Sequence, residues 1–356
     1  MRDQWNREID YLRISITDRC NLRCRYCMPE EGVTWFEHSQ ILTYEEIIRL
    51  CGIFYELGIR KVKVTGGEPL VRKGVPWLIR ALKESCHMEQ VTLTTNGVLL
   101  KEQIGGLVET GLDGVNVSLD TLNREKFLEI TRRDQLSEAL EGLEEALRYP
   151  ELNVKINCVP AAYNLDEVTA IAGLAKDDPL TVRFIELMPI GQGRNKDGIS
   201  EEKILGLLEQ KYGVLCPYDG NMGNGPAHYY ELPGFRGKIG FISAISHKFC
   251  GECNRVRLTS DGGFKTCLQY GETLDLRSLL RSGVSDTEIQ EQLEKENSSY
   301  SEILEKQGVL EQEASHKAAA ISLELANITK TAEFAIENIN RINSEIEKFD
   351  EQKESL

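Results

Sequence analysis

No run of the 356-residue chain is long and apolar enough to span a bilayer. Residues 1–10 are polar and mixed in charge, unlike the basic and apolar blocks of a secretory leader. A soluble cytoplasmic protein without a membrane partner is the expectation. Positive charge is in short supply, with 42 Lys and Arg against 57 Asp and Glu, a net −15. That balance disfavours non-specific binding of polyanionic nucleic acid, so no nucleic-acid partner is expected. Proline is absent after Pro233 and glycine after Gly308, which leaves the final stretch free of the two residues that most readily interrupt a helix.

The acidity is concentrated in that final stretch. Residues 284–356 hold 17 Asp and Glu against 7 Lys and Arg, a net −10, so the other 283 residues carry only −5. From Ala314 the apolar positions run Ala318, Ile321, Leu325, Ile328, Ala332, Ala335, Ile339, Ile342, Ile346 and Phe349. Their spacing alternates four and three for about five heptads, which predicts a coiled coil or an antiparallel helical hairpin with residues 286–306. A homo-oligomer is the corresponding expectation.

Upstream, β-branched runs at 12–17, 61–65, 91–95, 114–119, 154–159 and 181–187 alternate with amphipathic stretches at 44–57, 75–85, 101–110, 137–148 and 165–176. Six such repeats predict an α/β fold, a partial (βα)6 TIM-like barrel with its chemistry at the C-terminal ends of the strands. Residues 190–283 are rich in Gly and Pro with short apolar runs, and read as a small irregular module capping the barrel mouth. The predicted division is 1–189 barrel, 190–283 irregular module and 284–356 acidic helical tail.

Ten cysteines in a disulfide-free cytosol point to metal ligation where they cluster. Cys20, Cys24 and Cys27 follow the first strand in the run Cys20-Asn21-Leu22-Arg23-Cys24-Arg25-Tyr26-Cys27. Three thiolates at this spacing can hold three corners of a [4Fe–4S] cubane and leave the fourth iron open. Zinc with a distant fourth ligand is the alternative. Cys250, Cys253 and Cys267 form a second set of three, whose C-x2-C pair is also a common zinc half-site. Two clusters, each with one open iron, account for the six ligands better than two incomplete zinc sites. Cys51, Cys86, Cys158 and Cys216 are isolated and read as small core residues.

Cations recur inside otherwise apolar β runs: Arg13, Lys61, Lys63, Lys155 and Arg183, with Arg255 and Arg257 beside the second cysteine set. At i and i+2 each pair shares a face of its strand. A ring of inward cations in an acidic protein predicts an anionic ligand, and a triphosphate suits the count. Gly66-Gly67, after the second strand, exposes backbone to a ligand or makes a tight turn.

The C-x3-C-x-aromatic-C run resembles the signature of the radical S-adenosylmethionine (SAM) superfamily, with Tyr26 as the aromatic. With Gly66-Gly67 and the second set joined to Asn254-Arg255-Val256-Arg257, residues 5–283 resemble the GTP 3′,8-cyclase family of molybdenum-cofactor (molybdopterin) biosynthesis. The resemblance implies a radical SAM lyase using SAM and two [4Fe–4S] clusters. Cys20, Cys24 and Cys27 would ligate the SAM cluster, and Cys250, Cys253 and Cys267 an auxiliary cluster whose open iron meets guanine. Tyr26, Gly67, Ser118 and Met188 would line the SAM site. Arg13, Lys63, Thr94, Lys155, Arg255 and Arg257 match the family's GTP-binding positions, with Lys61 and Arg183 as phosphate contacts. A reducing partner such as a flavodoxin or ferredoxin is implied. The family's Lys-Pro stretch and terminal Gly-Gly have no counterpart in residues 284–356, from which SAM and GTP binding with a poor yield of cyclised product is expected. The alternatives are a diverged radical SAM enzyme acting on a peptide or another nucleotide, and a non-catalytic metal-binding assembly protein.

Overall fold

A computed structural model describes all residues except 3–6, 190–197, 221, 248, 270–273 and 355–356, with backbone alone at 299–316, 319 and 349–354. Two compact units result, Met1–Ser298 and Ser299–Leu356.

The first unit is built around one sheet. Six parallel strands, β1 (Tyr11–Ser15), β2 (Lys61–Thr65), β3 (Gln90–Thr95), β4 (Gly114–Ser118), β5 (Asn153–Cys158) and β6 (Thr181–Ile185), lie side by side in chain order. Between them run α1 (Tyr44–Glu56), α2 (Val75–Glu84), α3 (Leu100–Glu109), α4 (Arg124–Thr131), α5 (Leu136–Ala146) and α6 (Val168–Asp177). Local chemistry fixes their starts. Thr43 and Glu46 close a reciprocal capping box on α1, and the Asn123 side chain caps α4.

The remaining elements are α7 (Glu201–Tyr212), β7 (Cys216–Tyr218), β8 (His228–Glu231), β9 (Lys238–Ile242), β10 (Arg255–Leu258), β11 (Gly263–Lys265), β12 (Leu274–Asp275), α8 (Leu276–Arg281) and α9 (Asp286–Glu354). Their strands do not form a separate cap over the mouth. β9 pairs parallel with β6, β10 pairs parallel with β1, and β7, β8, β11 and β12 extend the two edges antiparallel. The barrel sheet thus has eight parallel strands, two more than the repeats predict. Cys216, expected in the core, is exposed at the start of edge strand β7.

The alternation along these strands inverts that of a packed barrel, whose interior is normally filled by branched apolar side chains. Leu12, Ile14, Val62, Val64, Val91, Leu93, Val115, Val117, Ile156 and Val182 are fully buried in the apolar core. Each stabilises the fold by roughly 1.5–3 kcal/mol. The opposite face presents Tyr11, Arg13, Lys63, Thr92, Thr94, Asn116, Lys155, Asn157 and Arg183 to the lumen.

The hairpin alternative for the tail is excluded, because Asp286–Glu354 is one uninterrupted helix of 69 residues. Its first turns belong to the compact body, with Ile289 and Leu293 buried. Farther on, Ile321, Leu325, Ile328, Ile339, Ile342 and Ile346 are between 49% and 65% exposed. The side chains of Ala314 and Phe349 lie outside the described residues.

Candidate active site

The parallel strands place the first cysteine set at their C-terminal end, in the loop after β1. Cys24 anchors this loop through its carbonyl, which accepts from the amides of Cys27 and Met28, both at 2.9 Å. Arg23 and Arg25 donate their amides to the carbonyls of Thr131 and Ile130, each at 2.9 Å, and the Arg132 guanidinium holds the carbonyls of Arg23 and Met28. Burial raises the Cys24 thiol well above its ordinary value, with Cys27, Asp120 and Cys20 adding to it. A bound cation would reverse the shift. Among the described residues no three Cys, His, Asp or Glu converge tightly enough for a single metal ion. Three thiols on one short loop are the donor set of a cubane with one open iron.

Tyr26, within the loop, donates to Asp120 Oδ2 at 2.5 Å, and Asp120 Oδ1 accepts from the Val159 amide at 2.7 Å. Asp120 lies just beyond β4; burial pushes its carboxyl up to about 6, against the Tyr26 and Val159 hydrogen bonds. Ser118 closes β4 and Met188 follows β6, both half-buried at this same end.

Gly66-Gly67 has a packing reason that the sequence reading did not supply. A Cβ on Gly67 would lie 2.3 Å from the Arg19 carbonyl oxygen, and the Gly67 amide donates to the Thr17 carbonyl at 2.7 Å. What approaches this glycine is the backbone leading into Cys20. Glu68 beside it is fully buried and accepts from Thr95 Oγ1, the Asn96 amide and the Leu70 amide at 2.7, 2.7 and 3.1 Å. Desolvation pushes its carboxyl up to about 7. Glu68 and Asp120 therefore lock the loops after β2, β3, β4 and β5 around the cysteines.

The second cysteine set lies at the opposite end of the barrel. Cys250 and Cys253 precede β10, which runs parallel to β1 in the register Tyr11↔Arg255 and Arg13↔Arg257. They therefore sit at the N-terminal end of the strands. Cys267 follows the antiparallel β11 and returns to that end. The C-terminal mouth expected from the sequence thus holds only the first set.

Between the two ends lies a cavity of ≈310 Å³. Its lining includes Arg13, Lys63, Lys155, Arg183 and Arg255, with Thr94 and Asn116, and among the described lining residues there is no carboxylate. The Arg183 guanidinium is aimed by Asn157 Oδ1 at 2.7 Å and Asn116 Oδ1 at 2.8 Å. Burial holds the Lys63 ammonium far below the usual lysine range, with Arg183, Arg13, Lys155 and Arg255 adding repulsion. Burial, reinforced by Arg183, pushes Lys155 down to about 7. Its Nζ donates to the Met222 carbonyl, which arrives from the β7–β8 connection. Arg13 Nε is buried without a hydrogen-bond partner among the described residues. Cations packed against one another with an unspent donor fit an absent polyanion.

Two predicted contacts stand apart. Lys61 is outside the described lining and pairs with Asp10 Oδ2 at 2.6 Å, because it is the first residue of β2 and meets the segment entering β1. Arg257 is also outside that lining, where burial and then Arg13 and Arg255 push it down to about 9, against Cys253 and Cys267, leaving it charged at neutral pH. Asn116 and Asn157 were not foreseen from the sequence, and Glu68 and Asp120, though they follow strand ends, had no role assigned from it. Polar residues interrupting apolar strands at lumen-facing positions were the available signal for the two asparagines.

Residues 14–174 match the Radical SAM superfamily model, and residues 180–303 match Molybdenum Cofactor Synthesis C. A GTP 3′,8-cyclase of Clostridium perfringens (strain 13 / Type A) is 44% identical over 296 residues, 83% of this chain and 91% of that one. One from Syntrophomonas wolfei is 47% identical over 295 residues, covering 82% and 90%. Among solved structures, Streptococcus suis SuiB bound to S-adenosylmethionine superposes with a TM-score of 0.56 at 14% identity, over 78% of this chain and 66% of that one. That likeness concerns the fold alone.

Proposed function

The chain belongs to the GTP 3′,8-cyclase family, and we propose that it converts GTP to (8S)-3′,8-cyclo-7,8-dihydroguanosine 5′-triphosphate, in molybdopterin biosynthesis. The observation that carries the reading is a lumen whose described lining holds five cationic side chains and no carboxylate, set between two groups of three cysteines. A polyanion suits this lumen better than a peptide does.

In this reading Cys20, Cys24 and Cys27 hold one [4Fe–4S] cluster and Cys250, Cys253 and Cys267 the other. Tyr26, Gly67, Ser118 and Met188 line the SAM site. When bound, these groups supply the hydrogen-abstracting equivalent at one end and an open iron for the base at the other. The protein binds, orients and excludes water. Arg13, Lys63, Lys155, Arg183 and Arg255 receive the triphosphate, Thr94 adds a hydroxyl, and Arg257 places a charge beside Cys253 and Cys267. Asn116 and Asn157 keep Arg183 from collapsing onto a neighbour. The buried carboxyls of Glu68 and Asp120 keep the cysteine loop in place for SAM.

Reduction calls for a low-potential one-electron donor, of which a flavodoxin or a ferredoxin is the natural class. The exposed Ile and Leu seam of α9 supports self-association through the tail, since apolar side chains in a 3.5-residue repeat are buried in coiled coils. The test is an anaerobic assay of the reconstituted protein with SAM, GTP and dithionite. Formation of 5′-deoxyadenosine with a cyclised nucleotide is expected. SAM cleavage that is indifferent to GTP, with no nucleotide product, would overturn the substrate assignment.

A further inference from the structure

Three buried side-chain atoms among the described residues have no hydrogen-bond partner: Arg13 Nε, Asp18 Oδ1 and the Tyr163 hydroxyl. Arg13 faces the lumen and is accounted for by a polyanion. Tyr163 belongs to the other end, in the connection between β5 and α6. The segment that carries it is tied to the strand ends. The neighbouring Asn164 is fully buried; its Oδ1 accepts from the Ala161 amide at 2.8 Å, and its Nδ2 donates to the carbonyls of Asp120 and Val159 at 2.8 and 3.1 Å. The Arg25 guanidinium, from the cysteine loop, stands 5.3 Å from the centre of the Tyr163 ring. Burial pushes the Tyr163 hydroxyl well above the ordinary phenol range, with Asp120, Cys158 and Cys24 adding to the shift and Arg25 opposing it.

The nearby carboxylate of Asp120 does not accept from this hydroxyl. Asp120 gives one carboxylate oxygen to the Tyr26 hydroxyl and the other to the Val159 amide. A phenylalanine would keep the ring beneath Arg25 and avoid burying an unsatisfied O–H, so the hydroxyl carries a penalty in the ligand-free fold. That penalty is removed if a ligand acceptor reaches it.

We propose that Tyr163 is a SAM-binding residue whose hydroxyl donates to an oxygen or nitrogen of the adenosyl group. Tyr26, held by Asp120, and Tyr163, next in sequence to the buried Asn164, then present two phenol rings beside the first cysteine set. The inference rests on the reading of this end as the SAM site, which Cys20, Cys24 and Cys27 define independently of Tyr163.

The test is equilibrium dialysis of labelled SAM against the anaerobically reconstituted full-length protein and its Tyr163→Phe variant. Iron content and GTP affinity serve as controls. SAM affinity should fall roughly three- to tenfold in the variant, the range expected for one lost hydrogen bond, with both controls unchanged. Without SAM, the variant's unfolding midpoint should be equal or higher, because an orphan hydroxyl has been removed. Equal SAM affinity in both proteins would overturn the inference alone. So would a midpoint several degrees lower without SAM, since the hydroxyl would then have a protein partner. A wild-type holoprotein that fails to bind SAM would instead overturn the site assignment on which the inference depends.

Discussion

Arg13 and Arg257 are register partners across the β1–β10 pairing, two guanidinium-bearing residues abreast on adjacent parallel strands. Like charges opposite one another destabilise a sheet unless something neutralises them. The arrangement is tolerated here beside two thiols and an anion-shaped lumen. Arg255→Ala should weaken GTP binding by about 1.5–3 kcal/mol, roughly ten- to a hundredfold, and Arg257→Ala, outside the cavity lining, should weaken it less; both should spare SAM binding. Lys63→Ala should behave like Arg255→Ala, whereas Lys61→Ala should cost at most about 1 kcal/mol of stability and leave GTP affinity unaltered. Calorimetry on the four variants checks this, and an equal loss at Lys61 and Lys63 would contradict the geometry.

The two cysteine sets should separate functionally. Replacing Cys20, Cys24 or Cys27 with Ala should abolish reductive SAM cleavage. Replacing Cys250, Cys253 or Cys267 should spare a measurable part of it and remove the cyclised nucleotide. Chromatography of 5′-deoxyadenosine and nucleotide products distinguishes the two outcomes; identical defects in SAM cleavage would refute the division.

Lys155 predicts a pH dependence with a definite sign. Its folded-state value is pushed down to about 7 from an ordinary 10.5, so between these values the unfolded chain binds more protons than the folded one. The Lys155 contribution to stability therefore rises with pH across that window, while GTP affinity falls because the phosphate needs the ammonium form. Near pH 8 binding should be accompanied by net proton uptake at Lys155. Calorimetry in buffers of different ionisation enthalpy measures the uptake, which Lys155→Met should abolish.

Gly67→Ala should lower the iron content of reconstituted protein severalfold. The added methyl would sit 2.3 Å from the Arg19 carbonyl oxygen and must displace the backbone that carries Cys20. A fully iron-loaded Gly67→Ala protein would show that this close packing is dispensable.

Truncation before Ala314 should reduce the oligomer seen by light scattering and leave GTP affinity unchanged. The exposed seam from Ile321 to Ile346 would be removed with the tail, while the lumen belongs wholly to the first compact unit. A monomeric full-length protein would argue against self-association through α9.

Much of this architecture was legible in the sequence because β-branched runs have a short period and firm punctuation. β2 falls on the predicted residues, and the other five central strands within a residue or two. α4 and α7 were missed. The window Arg-Glu-Lys-Phe-Leu-Glu-Ile-Thr of α4 has too few apolar positions to show a stripe, and its start depends on the Asn123 cap. β9 and β10 were missed as barrel strands because only tertiary pairing with β6 and β1 gives them parallel neighbours. That error put the second cysteine set at the wrong end. Strand alternation correctly turned Lys63 into the lumen, but it says nothing of height along the strand, which is what assigns Lys61 to Asp10.

The β1–β10 pairing also has a temporal side. Tyr11 and Arg255 are neighbours in space although 244 residues apart in the chain, while β1 and β2 meet across one α-helix and its leading loop. Pairings of such long reach are slow, and during synthesis from the N-terminus this one is unavailable until most of the chain has emerged. The first cysteine set and the loops that hold it are complete before Cys250 has been added. Assembly at the two ends of the barrel is thereby ordered in time, and the lumen becomes enclosed only after the segment carrying the later thiols has come back to meet the first strand.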